Sequence, residues 1–231
     1  MSLLTTIPSR GSKPGAALSF YAVPAVGLLE GAIVAAVGFP LRQRPLLAAA
    51  VMLIAHVLLT GAMHLDGSSD YGDVLGSRAR GEEALRVLKD PRRGAFGVVT
   101  AAVLIVARFS AFYYLAGRPV LVVASYVTGL ESAYITSFIG YEEPYDGMAR
   151  LITAEAKRPR KLLLNLTITA LCLAPLALLN VVSLLGLVGL AAAFVIAHDA
   201  NRRLGFVNGD VLGFSIEASE VTSLLVMAGW A

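Results

Sequence analysis

Long apolar stretches, separated by short polar segments, dominate the pattern of this chain. Each stretch is close to the roughly 20 residues that an α-helix needs to cross a bilayer. The predicted spans are residues 16–38, 45–64, 95–117, 119–140, 162–179, 181–198 and 211–230. The last of these segments carries two glutamates, which are rare inside a span. The pattern therefore predicts an all-α, polytopic membrane bundle of about six or seven transmembrane helices, with one domain over residues 1–231.

The composition agrees with a membrane location. Hydrophobic residues make up 57% of the chain and charged residues 15%, and the mean hydropathy is +0.72. A soluble domain of this length needs more polar surface than that to cover its core. The N-terminal segment lacks the pattern of a cleaved signal peptide. The single cysteine, Cys172, cannot form an intrachain disulfide, so it carries no information about redox compartment.

Basic residues predict the orientation of the spans. Most of the 19 lysine and arginine residues lie in the N-terminal tail, in segments 65–94 and 141–161, and around residues 202–203. Alternating spans bring all of these segments to the same side. The positive-inside rule assigns that side to the cytoplasm. We therefore expect a multi-pass protein of the cell membrane whose longest polar segments face the cytoplasm.

Three aspartates follow the second apolar stretch. Asp66, Asp70 and Asp73 are spaced by four and three residues, so a helix would present all three on one face. Like charges on adjacent turns repel each other, and a cation would relieve that repulsion. Hard divalent ions such as Mg²⁺ or Mn²⁺ prefer carboxylate oxygens. The alternative is that these acids cap a helix and face water.

A basic cluster comes next along the chain. Lys89, Arg92 and Arg93 stand around a proline and are followed by Gly94. Arginine binds phosphate oxygens through two parallel hydrogen bonds, and lysine supplies a point charge. The turn and the glycine favour a shaped loop that binds phosphate. The alternative is a simple positive-inside cluster.

The last apolar stretch carries a second set of acids. Asp210, Glu217 and Glu220 are spaced by seven and three residues, which places Asp210 and Glu217 on one helical face with Glu220 close by. Ionisable residues inside a span are costly and usually face a polar interior, so they are functional candidates. Alternatively, this segment lies at the membrane interface with its acids in water.

Several single ionisable residues are weaker candidates. Asp146 precedes a glycine in segment 141–161, where the local sequence is equally typical of a turn. His64 stands at the membrane boundary, where a structural hydrogen bond competes with a metal or phosphate role. Arg108 lies within a span, and we expect it to pair with Glu131 or Glu30 inside the bundle.

Three of these motifs together resemble the cobalamin synthase family, also called adenosylcobinamide-GDP ribazoletransferase. Residues 64–76 are close to the family pattern HLDGLxDxxDGLG, although residues 67–70 stand where the family usually has GLAD or similar. Residues 92–97 match its RxGAFG pattern. A third pattern, GDxxGxxxExxE, is matched by Gly209, Asp210, Gly213, Glu217 and Glu220. The order and separation of the motifs fit the family over most of the chain. Two family arginines are absent, one expected within residues 131–136 and one where this chain has residues 142–144.

The resemblance implies a late step of cobalamin biosynthesis. Such an enzyme joins adenosylcobinamide-GDP to α-ribazole, or to its 5′-phosphate, and releases GMP with the help of Mg²⁺. Under this hypothesis the three aspartates of residues 64–76 hold Mg²⁺ and the basic cluster neutralises the leaving GMP. A ribose hydroxyl attacks, and Asp146, Asp210 or Glu217 accepts its proton or binds a second metal. His64, Gly94 and Glu220 complete the substrate-binding set; no nucleic-acid partner is expected, and an oligomer is compatible with the sequence.

Two other classes of protein remain as alternatives. A CDP-alcohol phosphotransferase also places metal-binding aspartates after a span, but its DGxxAR pattern is broken here, where residues 68–70 follow Asp66 and Gly67. A small-molecule transporter would use the acids and the arginine inside the spans. Transporters often show inverted repeats, and no such repeat is evident in the sequence.

Overall fold

The computed structural model describes residues 4–6 and 13–230, and within them the regular structure is helical, without a strand. This confirms the predicted all-α class. The α-helices in this part of the chain are α1 (Lys13–Leu18), α2 (Val23–Gly38), α3 (Pro45–Thr60), α4 (Met63–Ser77), α5 (Gly81–Leu88), α6 (Ala95–Leu115), α7 (Pro119–Ile139), α8 (Met148–Ala156), α9 (Pro159–Leu179), α10 (Leu190–Arg203) and α11 (Gly209–Trp230). Short 3₁₀ segments occur at Phe20–Ala22, Phe39–Leu41 and Val181–Gly189.

The helices confirm the predicted number of spans. Six helical segments of the described chain are long and apolar enough to cross a membrane, and the bent pair α3 and α4 makes a seventh if it is one span. The last predicted span is among the six, as α11. Large apolar side chains on α6 and α9 point outward, as expected for a lipid-facing surface. They include Val98, Val103, Val106, Leu163, Leu171 and Leu178.

The second predicted span, residues 45–64, is wrong at its end. Helix α3 stops at Thr60, and the chain bends by 86° into α4. Gly61 and Ala62 have φ values of 60° and 56°, in the left-handed region that terminates an α-helix. The predicted polar segments 65–94 and 141–161 are likewise not only loops, because they contain α4, α5 and α8.

The sixth predicted span, residues 181–198, begins in a 3₁₀ segment instead of an α-helix. Two of its glycine carbonyls accept hydrogen bonds from serines of α11: Ser223 Oγ donates to Gly186 at 2.7 Å and Ser219 Oγ to Gly189 at 2.9 Å. A Cβ at Gly189 would lie 2.2 Å from Ser223 Oγ. Helix α11 therefore lies directly against this 3₁₀ segment.

Helix α7 lies at the centre of the bundle and is buried along most of its length. It packs on α2 and α11. Small residues make the contact with α2 close, since a Cβ at Gly27 would lie 2.3 Å from the carbonyl oxygen of Tyr126. Such small-residue interfaces are typical of membrane bundles, where van der Waals packing must supply the attraction between helices.

Helix α4 packs closely between α11 and α6. On one side, a Cβ at Gly67 would lie 2.8 Å from the Cα of Asp210, and one at Gly213 would lie 3.1 Å from the carbonyl oxygen of His64. On the other side, a Cβ at Gly72 would lie 2.5 Å from Thr100 Oγ1. The glycines thus bring the acidic helix against the first turn of α11.

Candidate active site

Two acidic side chains of α4 converge on one guanidinium. Asp66 and Asp70 are one turn apart, and each accepts a short hydrogen bond from Arg93, in the segment between α5 and α6. The side chain of Asp66 is 61% exposed, that of Asp70 16% and that of Arg93 39%. We call Asp66, Asp70 and Asp73 the carboxylate face. Its helical arrangement confirms the predicted alignment, and two of its acids share a single accessible counter-charge.

Asp73 makes different contacts. Its two oxygens accept hydrogen bonds from the backbone N–H groups of Gly94, at 2.8 Å, and Gly97, at 2.7 Å. These amides belong to the residue just before α6 and to its first turn, where N–H groups have no partner within the helix and a negative charge is favourable. Asp73 therefore anchors the start of α6 and the adjacent Arg93, instead of facing the same guanidinium as the other two aspartates.

The predicted metal site concerns the carboxylate face. Within residues 4–6 and 13–230, no group of three or more histidine, cysteine, aspartate or glutamate side chains is arranged so that it could hold a metal ion. Asp66 and Asp70 nevertheless bring carboxylate oxygens to one cationic group, and carboxylate oxygen is the donor that Mg²⁺ prefers. The donor chemistry fits a divalent ion at this pair.

Asp210 stands beside the carboxylate face. Its backbone lies against Gly67, and its carboxyl group interacts electrostatically with Asp70, Asp66 and Arg93. Asn208 Nδ2 donates to Asp210 Oδ2 at 2.9 Å, and the side-chain oxygen of Asn208 caps α11 by accepting from the N–H of Val211 at 3.1 Å. Asn208 was not predicted as a site residue, although Asn just before a helix is the usual signal of a cap.

Asp210 also lines a cavity of about 420 Å³ between α4, α7, α8 and α11. His64 lies in its wall, buried, with no hydrogen-bond partner on either ring nitrogen. Glu143 lines the same cavity, and its partial burial raises the pKa of its carboxyl group above the ordinary value. Glu143 was also missed as a site residue, because nothing in the local sequence distinguishes it from a solvated acid.

The basic cluster separates in space. Arg92 is 87% exposed and donates to Asp90 at 3.0 and 2.9 Å, and this hydrogen-bonded pairing lowers the pKa of Asp90 to about 2. Lys89 Nζ lies 4.6 Å from the centre of the Tyr145 ring. Only Arg93 of the three reaches the carboxylate face, and the N–H of Gly94 is taken by Asp73.

Glu217 and Glu220 lie away from the carboxylate face, deep in the bundle. Arg108 donates to Glu217 at 2.7 Å and to Glu220 at 2.8 Å, and His56 Nε2 lies 3.2 Å from Glu217. Seven residues of helix separate Glu217 from Asp210 by roughly 10 Å along the axis. His56 was not predicted as a partner of this group, because it lies in an otherwise apolar helix.

The predicted partners of Arg108 are wrong. Glu131 accepts instead from Asn165 Nδ2 and Thr169 Oγ1, both at 2.9 Å, and Glu30 has no hydrogen-bond partner on either carboxyl oxygen. The physical reason is that the acids of α11, not those of α2 or α7, come within hydrogen-bonding distance of the guanidinium.

Asp146 also lies away from the carboxylate face. Its side chain is 99% exposed and accepts from Arg150 at 2.7 Å, one turn along the chain. The structure therefore brings together Asp66, Asp70, Asp73, Arg93, Gly94 and Asp210 of the predicted set, with His64 in the adjoining cavity.

Comparison with known proteins finds similarity over nearly the whole chain. The family model described as cobalamin-5-phosphate synthase matches residues 1–228. An adenosylcobinamide-GDP ribazoletransferase from Stutzerimonas stutzeri is 33% identical over 99% of this chain and 95% of the relative. Enzymes of the same name from Halorubrum lacusprofundi and Pyrobaculum islandicum are each 34% identical, over 97% and 91% of this chain and 93% and 86% of the relatives. No solved structure matches the chain.

Proposed function

The chain belongs to the cobalamin-5-phosphate synthase family, and we propose that it acts as an adenosylcobinamide-GDP ribazoletransferase at the carboxylate face of α4. The reaction joins adenosylcobinamide-GDP to ribazole and releases GMP. The observation that carries the location of the site is the convergence of Asp66 and Asp70 on Arg93, beside Asp210. The family match does not favour the CDP-alcohol phosphotransferase and transporter alternatives.

Asp66 and Asp70 are the residues that would hold Mg²⁺. Their side chains are one helical turn apart, are at least partly exposed, and offer oxygen donors, which suit this ion. When bound, Mg²⁺ would neutralise charge on the diphosphate of the donor substrate. Arg93 brings a guanidinium to the same two acids, and its planar set of donors fits phosphate oxygens.

Asp73 supports this site indirectly. By accepting from the N–H groups of Gly94 and Gly97, it holds the residues next to Arg93 against α4. A Cβ at Gly94 would lie 2.3 Å from Asp73 Oδ1, so only glycine allows this approach. Asp73 thus positions the guanidinium, and a rigidly placed charge stabilises a transition state better than a mobile one.

The bond changes follow from the substrates. An oxygen of a ribose hydroxyl on ribazole attacks the phosphorus that is bonded to cobinamide. A new P–O bond forms, the P–O bond to the GMP portion breaks, and GMP leaves with the bonding electron pair. The hydroxyl proton must pass to a base. The protein contributes mainly by positioning the reactants and stabilising charge, as in other phosphoryl transfers.

Asp210 is the acid that we assign as the acceptor of this proton. It borders both the carboxylate face and the cavity, so it can contact a hydroxyl group that lies between them. Glu217 is committed to Arg108 and His56 inside the bundle, and Asp146 is on the surface beside Arg150. Neither of these alternatives adjoins the carboxylate face.

We also propose that the site faces the cytoplasm from the cell membrane. The stretch from the end of α4 to the start of α6, which includes Arg93, is rich in basic residues, as the positive-inside rule requires of a cytoplasmic surface. They are Arg78, Arg80, Arg86, Lys89, Arg92 and Arg93.

The decisive experiment is Asp70→Asn in the detergent-purified enzyme, assayed for cobalamin formation over a Mg²⁺ titration. We expect turnover to fall at least ~100-fold, since loss of a charge-stabilising group at a reacting centre typically has that effect. Glu82→Gln removes a carboxylate that is 93% exposed on the neighbouring α5 and should retain wild-type turnover. Near-normal turnover of Asp70→Asn would contradict the assignment, and Mg²⁺-independent turnover of the wild type would contradict the metal.

A further inference from the structure

The cavity beside Asp210 adjoins the carboxylate face, and the bond changes described above do not say what occupies it. Its volume of about 420 Å³ falls within the range of small-molecule sites. It lies between the starts of α4 and α11, α7, and the segment that leads into and includes α8. Its wall includes Phe20, His64, Ala133, Ile152, Leu212 and Ile216.

The lining changes from apolar to polar across the cavity. Phe20, Ala133, Ile152, Leu212 and Ile216 are buried and apolar. The partly exposed polar groups are Asn208, Asp210 and Glu143. An occupant should therefore have one apolar end and one end that carries hydroxyl groups, with the hydroxyl end next to Asp210.

His64 is a buried polar residue in the wall of this cavity. The residue is 5% exposed, and neither ring nitrogen has a hydrogen-bond partner. Leaving a buried polar group unpaired is unfavourable, so such a group calls for an explanation. A neutral imidazole has one N–H donor and one acceptor nitrogen. A ligand with an unprotonated ring nitrogen would accept a hydrogen bond from the imidazole N–H.

Close helix packing holds His64 and Asp210 on the same cavity. A Cβ at Gly213 would lie 3.2 Å from the Cα of His64, so α11 is in direct contact with the start of α4. Asp210 precedes Gly213 by about one helical turn. The backbones of His64 and Asp210 are thus held by the same helix crossing.

We propose that this cavity binds the acceptor nucleoside through its bicyclic aromatic base, with His64 donating a hydrogen bond to the bare ring nitrogen of that base. The inference rests on the proposed function, which makes ribazole the acceptor. The base of ribazole is a methylated benzimidazole, which is apolar apart from that nitrogen, and its ribose hydroxyls extend toward Asp210. The corrinoid of the donor is far too large for this volume, and guanine has several polar edges that apolar walls would leave unpaired.

The first test removes the hydrogen bond. His64→Phe retains an aromatic ring but lacks the donor, and it should raise the KM for ribazole about tenfold, as for the loss of one buried hydrogen bond. The KM for adenosylcobinamide-GDP and kcat should stay near the wild-type values. His64→Asn restores a side-chain N–H and should recover part of the loss. His198→Phe, at an exposed histidine on α10, is the matched control.

The second test obstructs the cavity. A Cβ at Gly209, which lines the cavity, meets no other atom within 4 Å, so Gly209→Trp should fold. Gly229, near the other end of α11, is equally open, and Gly229→Trp is the control. We expect at least a tenfold rise in the KM for ribazole in Gly209→Trp alone. Free 5,6-dimethylbenzimidazole should compete with ribazole in the wild type and more weakly in His64→Phe.

The outcomes separate this inference from the proposed function. An unchanged KM for ribazole in both His64→Phe and Gly209→Trp overturns the cavity assignment, as does an equal rise in the KM values of both substrates. If the wild type makes no cobalamin, the proposed function fails. In that case, calorimetric binding of ribazole to Gly229→Trp but not to Gly209→Trp would still support the cavity, and equal binding would overturn it.

Discussion

At the scale of single residues, the candidate site depends on which of several similar side chains comes close to the aspartates. Arg92 and Arg93 are neighbours in sequence and identical in chemistry. Arg93 donates to Asp66 and Asp70, whereas Arg92 pairs with Asp90 on the surface. The two arginines are therefore a natural pair for testing whether position, and not simply positive charge, matters for phosphate binding.

Arg93→Ala should lower kcat/KM for adenosylcobinamide-GDP at least ~100-fold, because a charge placed at the reacting phosphates stabilises the transition state. Arg92→Ala should change it less than about threefold, since exposed ion pairs contribute little. Steady-state kinetics with the GDP-activated donor measures both values. Equal losses in the two variants would show that the cluster acts only through its total charge.

A further prediction at this scale concerns Arg93, the cation shared by Asp66 and Asp70. Arg93→Lys keeps a positive charge but loses the planar donor set that can engage two oxygens at once. We expect activity between that of the wild type and that of Arg93→Ala. A lysine variant as active as the wild type would mean that the geometry of the guanidinium is unimportant.

At the scale of helices, the site depends on how closely α4 and α11 cross. Gly67 lies against the backbone of Asp210, and backbone cannot move aside as a flexible side chain can. Gly67→Ala would place a Cβ 2.8 Å from the Cα of Asp210. Such overpacking typically costs about 1–3 kcal/mol of stability.

We therefore expect Gly67→Ala to lower the thermal unfolding temperature in detergent and to reduce turnover, because the crossing also sets the position of Asp210. Gly117→Ala serves as the control, since a Cβ there meets no other atom within 4 Å. A Gly67→Ala enzyme with wild-type turnover and unfolding temperature would show that the crossing tolerates a wider separation.

A second helix contact, between Asp73 of α4 and the start of α6, also supports the site. Asp73→Ala removes the acceptor for the N–H groups of Gly94 and Gly97. Loss of a capping carboxylate typically costs about 0.5–2 kcal/mol, so the stability loss should be modest. Activity should fall more than stability, because Arg93 is next to the released backbone. Melting curves and kinetics on the same preparation compare the two effects, and parallel losses would argue against a positioning role.

At the scale of the whole molecule, a buried charge network joins α3, α6 and α11. Arg108 is 1% exposed and pairs with Glu217 and Glu220, while His56 also contacts Glu217. Removing one partner of a buried ion pair leaves an uncompensated charge and typically costs about 3–5 kcal/mol. The network therefore fixes how these three helices pack in the bundle.

Arg108→Met should consequently lower the unfolding temperature or prevent folding, whereas Arg108→Lys should fold with intermediate stability because it retains the charge. Size-exclusion profiles and thermal unfolding in detergent measure this. The folded fraction of Arg108→Lys should keep most of the wild-type kcat, since the network lies away from the carboxylate face. A folded Arg108→Lys enzyme without activity would instead give Glu217 or Glu220 a direct role in the reaction.

The sequence by itself determined the helical class and the approximate number of spans. Long apolar runs have no stable alternative in a bilayer, because backbone groups must be hydrogen-bonded within each span. Spacings of four and three residues likewise placed Asp66, Asp70 and Asp73 on one face once that segment was helical. These properties are local, so a pattern of nearby residues is sufficient to predict them.

Only the tertiary structure decided which distant groups meet. The bend at Gly61 and Ala62 turns α4 across the bundle, and α11 then brings Asp210 to the carboxylate face. The same packing gave Arg108 the acids of α11 as partners in place of Glu131 or Glu30. It also placed His64 in the wall of a cavity. Such contacts join residues far apart in sequence, and their distances depend on helix crossings that no local spacing encodes.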